Sequence, residues 1–226
     1  MPLYICPTPI GNLKDITLRV IETLQSVDYI LAEDTRVTHV LLNKYEIKTP
    51  LKSFHSYSNK RVLDNIIDDL KEGKSIALVT DAGTPCISDP GYEIVRRCVE
   101  EGIHFEALPG PNAVLPAIIL SGFPPDRFFF HGFLKRSEGK TKKTLEAFKD
   151  FEYPVIFYES PYRVVKVLSI INEVLPDRYI AVVREISKIH ESVVRGSVKE
   201  VLDYFENNPP KGEIVIVLGG KGMKIL

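Results

Sequence analysis

Long hydrophobic runs are missing from this chain. No apolar stretch among its 226 residues approaches the ~20 needed to span a bilayer as a helix. The start, MPLYICPTPIG, has no basic region and no extended apolar segment, so no signal peptide is expected. Cysteine is scarce. Cys6, Cys86 and Cys98 are odd in number and lack metal-ligand spacing, which fits a reducing cytoplasm better than a disulfide framework. A charge excess is lacking too: 29 basic and 30 acidic residues leave a net charge of −1. That balance argues against a protein that coats nucleic acid, but it leaves room for a local basic face. The usual fingerprints are also absent. There is no G-x-G-x-x-G after the first apolar run, no P-loop, no G-x-S-x-G elbow and no H-E-x-x-H. The five histidines have no metal spacing, and Asp81 with Asp89 is only a weak magnesium signal. No metal is expected.

What is present is the balance of a globular protein, 44% hydrophobic and 26% charged, with enough length for a sizeable core. Apolar runs at 3–6, 28–32, 51–55, 75–79 and 104–108 read as strands. Between and after them, 3.6-residue periodicity predicts helices ending at Leu24 and over 38–45, 59–71, 92–101 and 113–120. Asp15 or Thr17 can cap the first of these. The segment SGFPPDR (121–127) reads as a boundary. The pattern then restarts, with strands at 128–133, 154–158, 179–184, 192–196 and 213–218 and helices running to Lys149, over 164–174, and from a Ser197 cap to Phe205. The expected architecture is two α/β domains, 1–121 and 122–226, with functional loops gathered where strand ends from the halves face one another.

The central stretch is TDAGTPCISDPG (80–91), a strand-to-helix loop rich in Gly and Pro. Its plain structural role would be a turn with Asp89 capping the next helix. A second stiff loop, PGPNA (109–113), opens the helix at 113. Glycine permits close backbone approach to a ligand, and proline fixes the path while removing a donor. With few basic residues nearby, such loops suit a flat zwitterion held by backbone groups better than a phosphate.

Six segments carry a resemblance: PTPIGNLKDITLR (7–19), AEDTRVTHVLL (32–42), TDAGTPCISDPG, LPGPNAV (108–114), FYESPYR (157–163) and REISKIHESVVRG (184–196). In this order they resemble the ribosomal RNA small-subunit methyltransferase I family, of the tetrapyrrole-methylase superfamily. The resemblance covers nearly the whole chain. It implies an S-adenosylmethionine-dependent ribose 2′-O-methyltransferase acting on a cytidine of 16S rRNA, within the small ribosomal subunit. It also implies a cytoplasmic homodimer with the cofactor folded in a cleft between the two domains. Carried over by motif, the cofactor contacts would be Ile10, Gly83, Thr84, Pro85, Ile87, Asn112 and Ala113, with Tyr158 and Ile214 closing the adenine side. Two departures are visible. The family usually runs some tens of residues past the final strand, so RNA contacts made there would be absent or replaced. In SFHSYSNKR (53–61), Lys60 stands where the family commonly has Glu.

In-line displacement needs alignment above all, and a base for the hydroxyl proton. The candidate bases are Glu33, Asp34, His55, Glu159 and Glu185. The competing role for these carboxylates is structural: Glu33 or Asp34 paired with Arg36, and Glu185 paired with Arg184 or Arg163. Lys135, Arg136, Lys140, Lys142 and Lys143, in a basic loop without aromatics, would grip the RNA backbone as a mobile arm, with Arg36 and Arg163 as further contacts. Two other readings of the same fold stand beside this one: a C-methyltransferase acting on a porphyrinoid, and a non-catalytic RNA-binding assembly protein.

Overall fold

A computed structural model describes residues 2–55 and 60–224. The start expected for the third helix, Asn59, lies outside the described residues, as does the 56–59 part of SFHSYSNKR. The chain forms two compact units, Met1–Asn112 and Ala113–Leu226.

The first unit holds a parallel sheet of five short strands. They are β1 (Leu3–Ile5), β2 (Tyr29–Ala32), β3 (Leu51–Ser53), β4 (Ile76–Leu78) and β5 (Phe105–Ala107), in the order β3-β2-β4-β1-β5. Its helices are α1 (Leu18–Ser26), α2 (Thr35–Lys44), α3 (Lys60–Lys71) and α4 (Tyr92–Glu101). Alternate strand residues feed two cores. Val20 and Leu24 of α1 and Leu41 and Leu42 of α2 pack on Ile30, Ala32 and Ala77. Ile66, Ile67 and Leu70 of α3 and Ile94 and Cys98 of α4 pack on Leu3, Leu31, Ile76 and Leu78. So α1 and α2 cover one face, and α3 and α4 cover the other. Of the two caps expected for α1, Thr17 serves, its hydroxyl accepting from the Val20 amide.

The second unit has a mixed sheet: β6 (Phe129–Phe133), β7 (Val155–Glu159), β8 (Tyr179–Arg184), β9 (Ser192–Ser197) and β10 (Ile214–Leu218), in the order β6-β7-β10-β8-β9. Only β6 and β7 are parallel; the other neighbours are antiparallel. Helices α6 (Glu138–Glu146), α7 (Val164–Val174) and α8 (Val198–Asn207) bury one face of it, over Phe157, Val182 and Ile216. A reciprocal pair of bonds between Ser197 and Glu200 caps α8 as the sequence leads one to expect.

Helix α5 (Val114–Ser121) packs on β8, β9 and β10. Arg195 of β9 donates to the carbonyls of Leu120 and Ser121 at its end. The division between units therefore falls before α5, at 112/113, and not at the expected 121/122. The Gly-Pro segment after α5 ends a helix of the second unit, with Gly122 at φ 82° as its left-handed cap.

Candidate active site

The loop after β4 occupies an unusual place in the first sheet. Its strand neighbours, β1 and β2, continue into helices on one face, whereas β4 continues into α4 on the other. Adjacent strands whose connections part to opposite faces leave a crevice at their carboxyl ends, where α/β proteins bind ligands. The β4 loop thus borders two crevices, one toward β1 and one toward β2.

On the β1 side three loops are laced together. Thr8 and Gly83 exchange both backbone hydrogen bonds, at 2.8 and 2.9 Å. The buried Thr8 hydroxyl donates to the Thr80 carbonyl at 2.9 Å. The Thr84 hydroxyl donates to the Pro111 carbonyl at 3.1 Å, tying in the loop after β5. Gly110 lies so close to Pro7 that a Cβ there would sit 2.7 Å from the proline Cβ. Gly83, at φ 88°, adopts a conformation that few side chains tolerate, and its position faces Ile10 Cγ2 at 3.5 Å. Cys86 and Ser88 also have positive φ, 71° and 68°, a strain that collects at functional loops. Ile87 is exposed, and Pro85 is buried. Ile10, Gly83, Thr84, Pro85, Ile87 and Asn112 therefore stand on one interlaced set of loops with no lysine or arginine among them.

The β2 side is acidic. The Asp34 amide donates to Asp81 Oδ1 at 3.0 Å, and the Thr80 hydroxyl reaches Glu33 Oε2 at 3.4 Å. Asp89 does not cap α4; Gly91 holds that position, without a side-chain bond. Instead burial, with Glu33 and Asp81 nearby, pushes the Asp89 carboxyl up to about 6, against a lowering bond from Thr80. The sequence offers Asp81 and Asp89 only as a weak magnesium signal and a helix cap, because nothing local in it brings Glu33 beside their loop; the pairing of β2 with β4 does that.

The other expected bases divide. Asp34 caps α2, which begins three residues earlier than the sequence periodicity indicates because Asp34 accepts from the Arg36 amide. The Arg36 guanidinium also grips it through two bonds, at 3.0 and 2.6 Å, and holds its carboxyl down to about 2. Arg36 is thus committed to this pair. His55 Nε2 shares a 2.6 Å hydrogen bond with Ser53 Oγ beyond edge strand β3.

In the second unit, Glu185 pairs neither with Arg184 nor with Arg163. Its carboxylate takes the Glu213 amide at 2.8 Å and Lys188 at 2.9 Å, beneath Gly212. Burial raises its pKa, but those two donors outweigh burial and hold it below the usual range. Arg184 spends its guanidinium on Ser192 and the carbonyls of Lys211 and His190. Glu159 is buried at 3% exposure and its carboxyl is raised by desolvation. One of its oxygens accepts from the Ser160 amide at 2.8 Å; the other has no hydrogen bond and lies 3.5 Å from Arg163 Nη2. Ile214 is in register with Glu159 and Arg184, and its side chain is packed in the second core, leaving only its main chain at the strand end. Tyr158 packs edge-on against Phe130 and Phe133, and the Ala113 carbonyl starts α5 by accepting from Ala117.

The basic segment is not a loop along its length. Ser137 opens α6, which carries Lys140, Lys142 and Lys143. Lys142 is bound to Glu173 at 2.8 Å and to Glu138 at 3.4 Å. A helix forms because 141 and 145, Thr and Leu, are one turn apart and both buried.

The family described as Tetrapyrrole (Corrin/Porphyrin) Methylases matches residues 2–202. The chain is 48% identical to ribosomal RNA small subunit methyltransferase I of Thermotoga maritima, over 97% of this chain and 98% of that protein. The chain belongs to that methyltransferase family. The Bacillus subtilis member is 50% identical over 96% of this chain and 75% of its own length. Among solved structures, cobalt precorrin-4 methyltransferase superposes with a TM-score of 0.70 at 21% identity, covering 96% of this chain and 94% of that one. Diphthine synthase gives 0.74 at 14%, covering 97% and 90%. These two share the fold. Membership of the family implies a methyl donor. No helix among the described residues is long and apolar enough to cross a membrane, and no group of three or more His, Cys, Asp or Glu there is arranged to hold a metal ion.

Proposed function

We propose that the protein transfers a methyl group from S-adenosylmethionine to the ribose 2′-oxygen of a cytidine in 16S rRNA, presented by the small ribosomal subunit in the cytoplasm. A homodimer is part of the same reading. The observation that carries it is the laced β1, β4 and β5 loops lying beside Glu33, Asp81 and Asp89. Such loops offer backbone amides and carbonyls and an apolar Ile10 and Ile87, and those after β4 and β5 carry no lysine or arginine. A phosphate-rich cofactor would be poorly served there, whereas a sulfonium with an α-amino group is drawn to the neighbouring carboxylates.

Ile10, Gly83, Thr84, Pro85, Ile87, Asn112 and Ala113 would hold the donor, with Tyr158 and the main chain at Ile214 as further contacts. When bound, S-adenosylmethionine supplies a methyl on positively charged sulfur and a neutral thioether as leaving group. The loops' task is to fix that methyl in line with the acceptor oxygen, and such positioning lowers a barrier by roughly 7–11 kcal/mol. The acceptor proton falls to the Glu33–Asp89 pair. Asp34 and Glu185 are held too acidic by their partners to compete. A carboxyl near 6 is ionised at neutral pH yet still basic enough to take a proton. Glu159 is a positioning residue, since it grips the Ser160 amide from a buried site.

Calorimetric titration with S-adenosylmethionine, followed by tritium transfer to isolated small subunits, tests this reading. Binding and transfer to rRNA are expected. Binding with transfer only to a porphyrinoid, or no binding at all, would overturn it.

A further inference from the structure

Tyr162 is 96% exposed, in a protein where most aromatic rings are at least half covered. It stands on the tight turn between β7 and α7, and that turn is braced on every side. Glu159 Oε1 accepts from the Ser160 amide at 2.8 Å. The Ser160 carbonyl accepts from the Arg163 amide at 2.9 Å, and the Ser160 hydroxyl lies 3.4 Å from the Tyr162 amide. Arg163 then reaches sideways. Its guanidinium donates to the Leu134 carbonyl at 3.3 Å and the Lys135 carbonyl at 3.0 Å. An aromatic ring held in water by a rigid turn is not a folding device, because it buries nothing.

The Arg163 clamp decides what lies beside it. It fastens the turn carrying Tyr162 to the start of the segment that leads into α6, where Lys135, Arg136, Lys140 and Lys143 are all exposed. Among the described residues none of these four has an ion-pair partner, in contrast to Lys142 with its two carboxylates. Read along the sequence, the basic segment contains no aromatic residue. The parallel pairing of β6 with β7 supplies one from the neighbouring loop. Cations that track a backbone together with an exposed ring are the two components of single-strand recognition.

We propose that Tyr162 is a stacking platform for an unpaired base of the acceptor RNA, next to a phosphate row formed by Lys135, Arg136, Lys140 and Lys143. This inference rests on the proposed function and adds a residue-level account of how the acceptor strand is held. Paired bases in an A-form helix keep their faces stacked on each other, so the platform selects unpaired RNA.

The chain contains no tryptophan, so Y162W introduces a single fluorescent reporter at the platform. Its emission is expected to quench on adding a short single-stranded oligoribonucleotide and to stay unchanged with the same sequence as a duplex. Y162A should bind the single strand about 5- to 150-fold more weakly, the range for one base stacked on an aromatic ring. Its KM for rRNA should rise with kcat and cofactor affinity unchanged, and its salt dependence should match the wild type. Y162F should restore binding, since a phenyl ring stacks as well. Equal binding by Y162A and wild type, with wild type still methylating rRNA, overturns the platform and leaves the proposed function standing. Loss of binding to whole subunits alone, with naked RNA unaffected, also overturns it, in favour of a protein contact. Should wild type bind RNA through Tyr162 yet transfer no methyl group, the platform holds and the catalytic reading falls.

Discussion

Replacing Asp89 by asparagine should stabilise the first unit at neutral and higher pH, and not in acid. In the folded chain this carboxyl titrates near 6, against an ordinary 3.8, because burial and the charges of Glu33 and Asp81 penalise its ionised form. A folded-state pKa above the unfolded one means that the folded state holds its proton longer. Between about pH 4 and pH 6, stability therefore falls as pH rises, and above that window the full cost of the buried charge remains. The displacement corresponds to about 3 kcal/mol of ionisation free energy. The site is only partly withdrawn from solvent, so screening reduces this to about 1–2 kcal/mol. Asparagine keeps the shape and an acceptor for Thr80 while removing the charge. Urea unfolding of wild type and D89N, compared at about pH 8 and about pH 4, should show a gain of about 1–2 kcal/mol at the higher pH and almost none at the lower. An equal difference at both values, or a loss at the higher one, would refute this account of the acidic crevice.

The same carboxyl should make donor binding pH-dependent. Affinity for S-adenosylmethionine, read by calorimetry, should weaken as pH falls through about 6, and D89N should flatten that profile. Gly110→Ala drives a methyl into the Pro7 ring; overpacking of this kind costs about 1–3 kcal/mol, and both the melting temperature and donor affinity should drop. Thr84→Val removes the bond to Pro111 and should cost about 1 kcal/mol in chemical denaturation. K140A and K143A should each lower the slope of log affinity for RNA against log salt by about one, whereas K142A, already neutralised by Glu138 and Glu173, should change it little.

Strands and helices were legible where apolar periodicity is clean. α3, α7, α8 and β10 fall close to where the pattern puts them. What the pattern missed depended on contacts distant in sequence. The Asp34 cap was hidden because EDTR reads equally well as a loop of charges. The place of α5 was hidden because a short helix, apolar up to its last residue, fits either core, and only its packing on β8 and β10 assigns it. The laced loops were visible as Gly-Pro segments, but Thr8 gave no local sign of its bridge to Gly83. Asp89 had the plainest sequence role, a helix cap, and the structure gives it another. Tyr162 was invisible as a partner of the basic segment because 27 residues separate it from Lys135, and the Arg163 clamp closes that distance.

The placement of α5 bears on how this protein can be taken apart. Severing the chain in the Gly-Pro segment after Ser121 would strip one face of the second sheet of its apolar cover and leave Arg195 without the carbonyls it holds. The stump on the other fragment would be an apolar helix parted from β8, β9 and β10, the strands it packs on. Dissection after Asn112 divides no hydrophobic cluster, so that is where separate expression of the two pieces should begin.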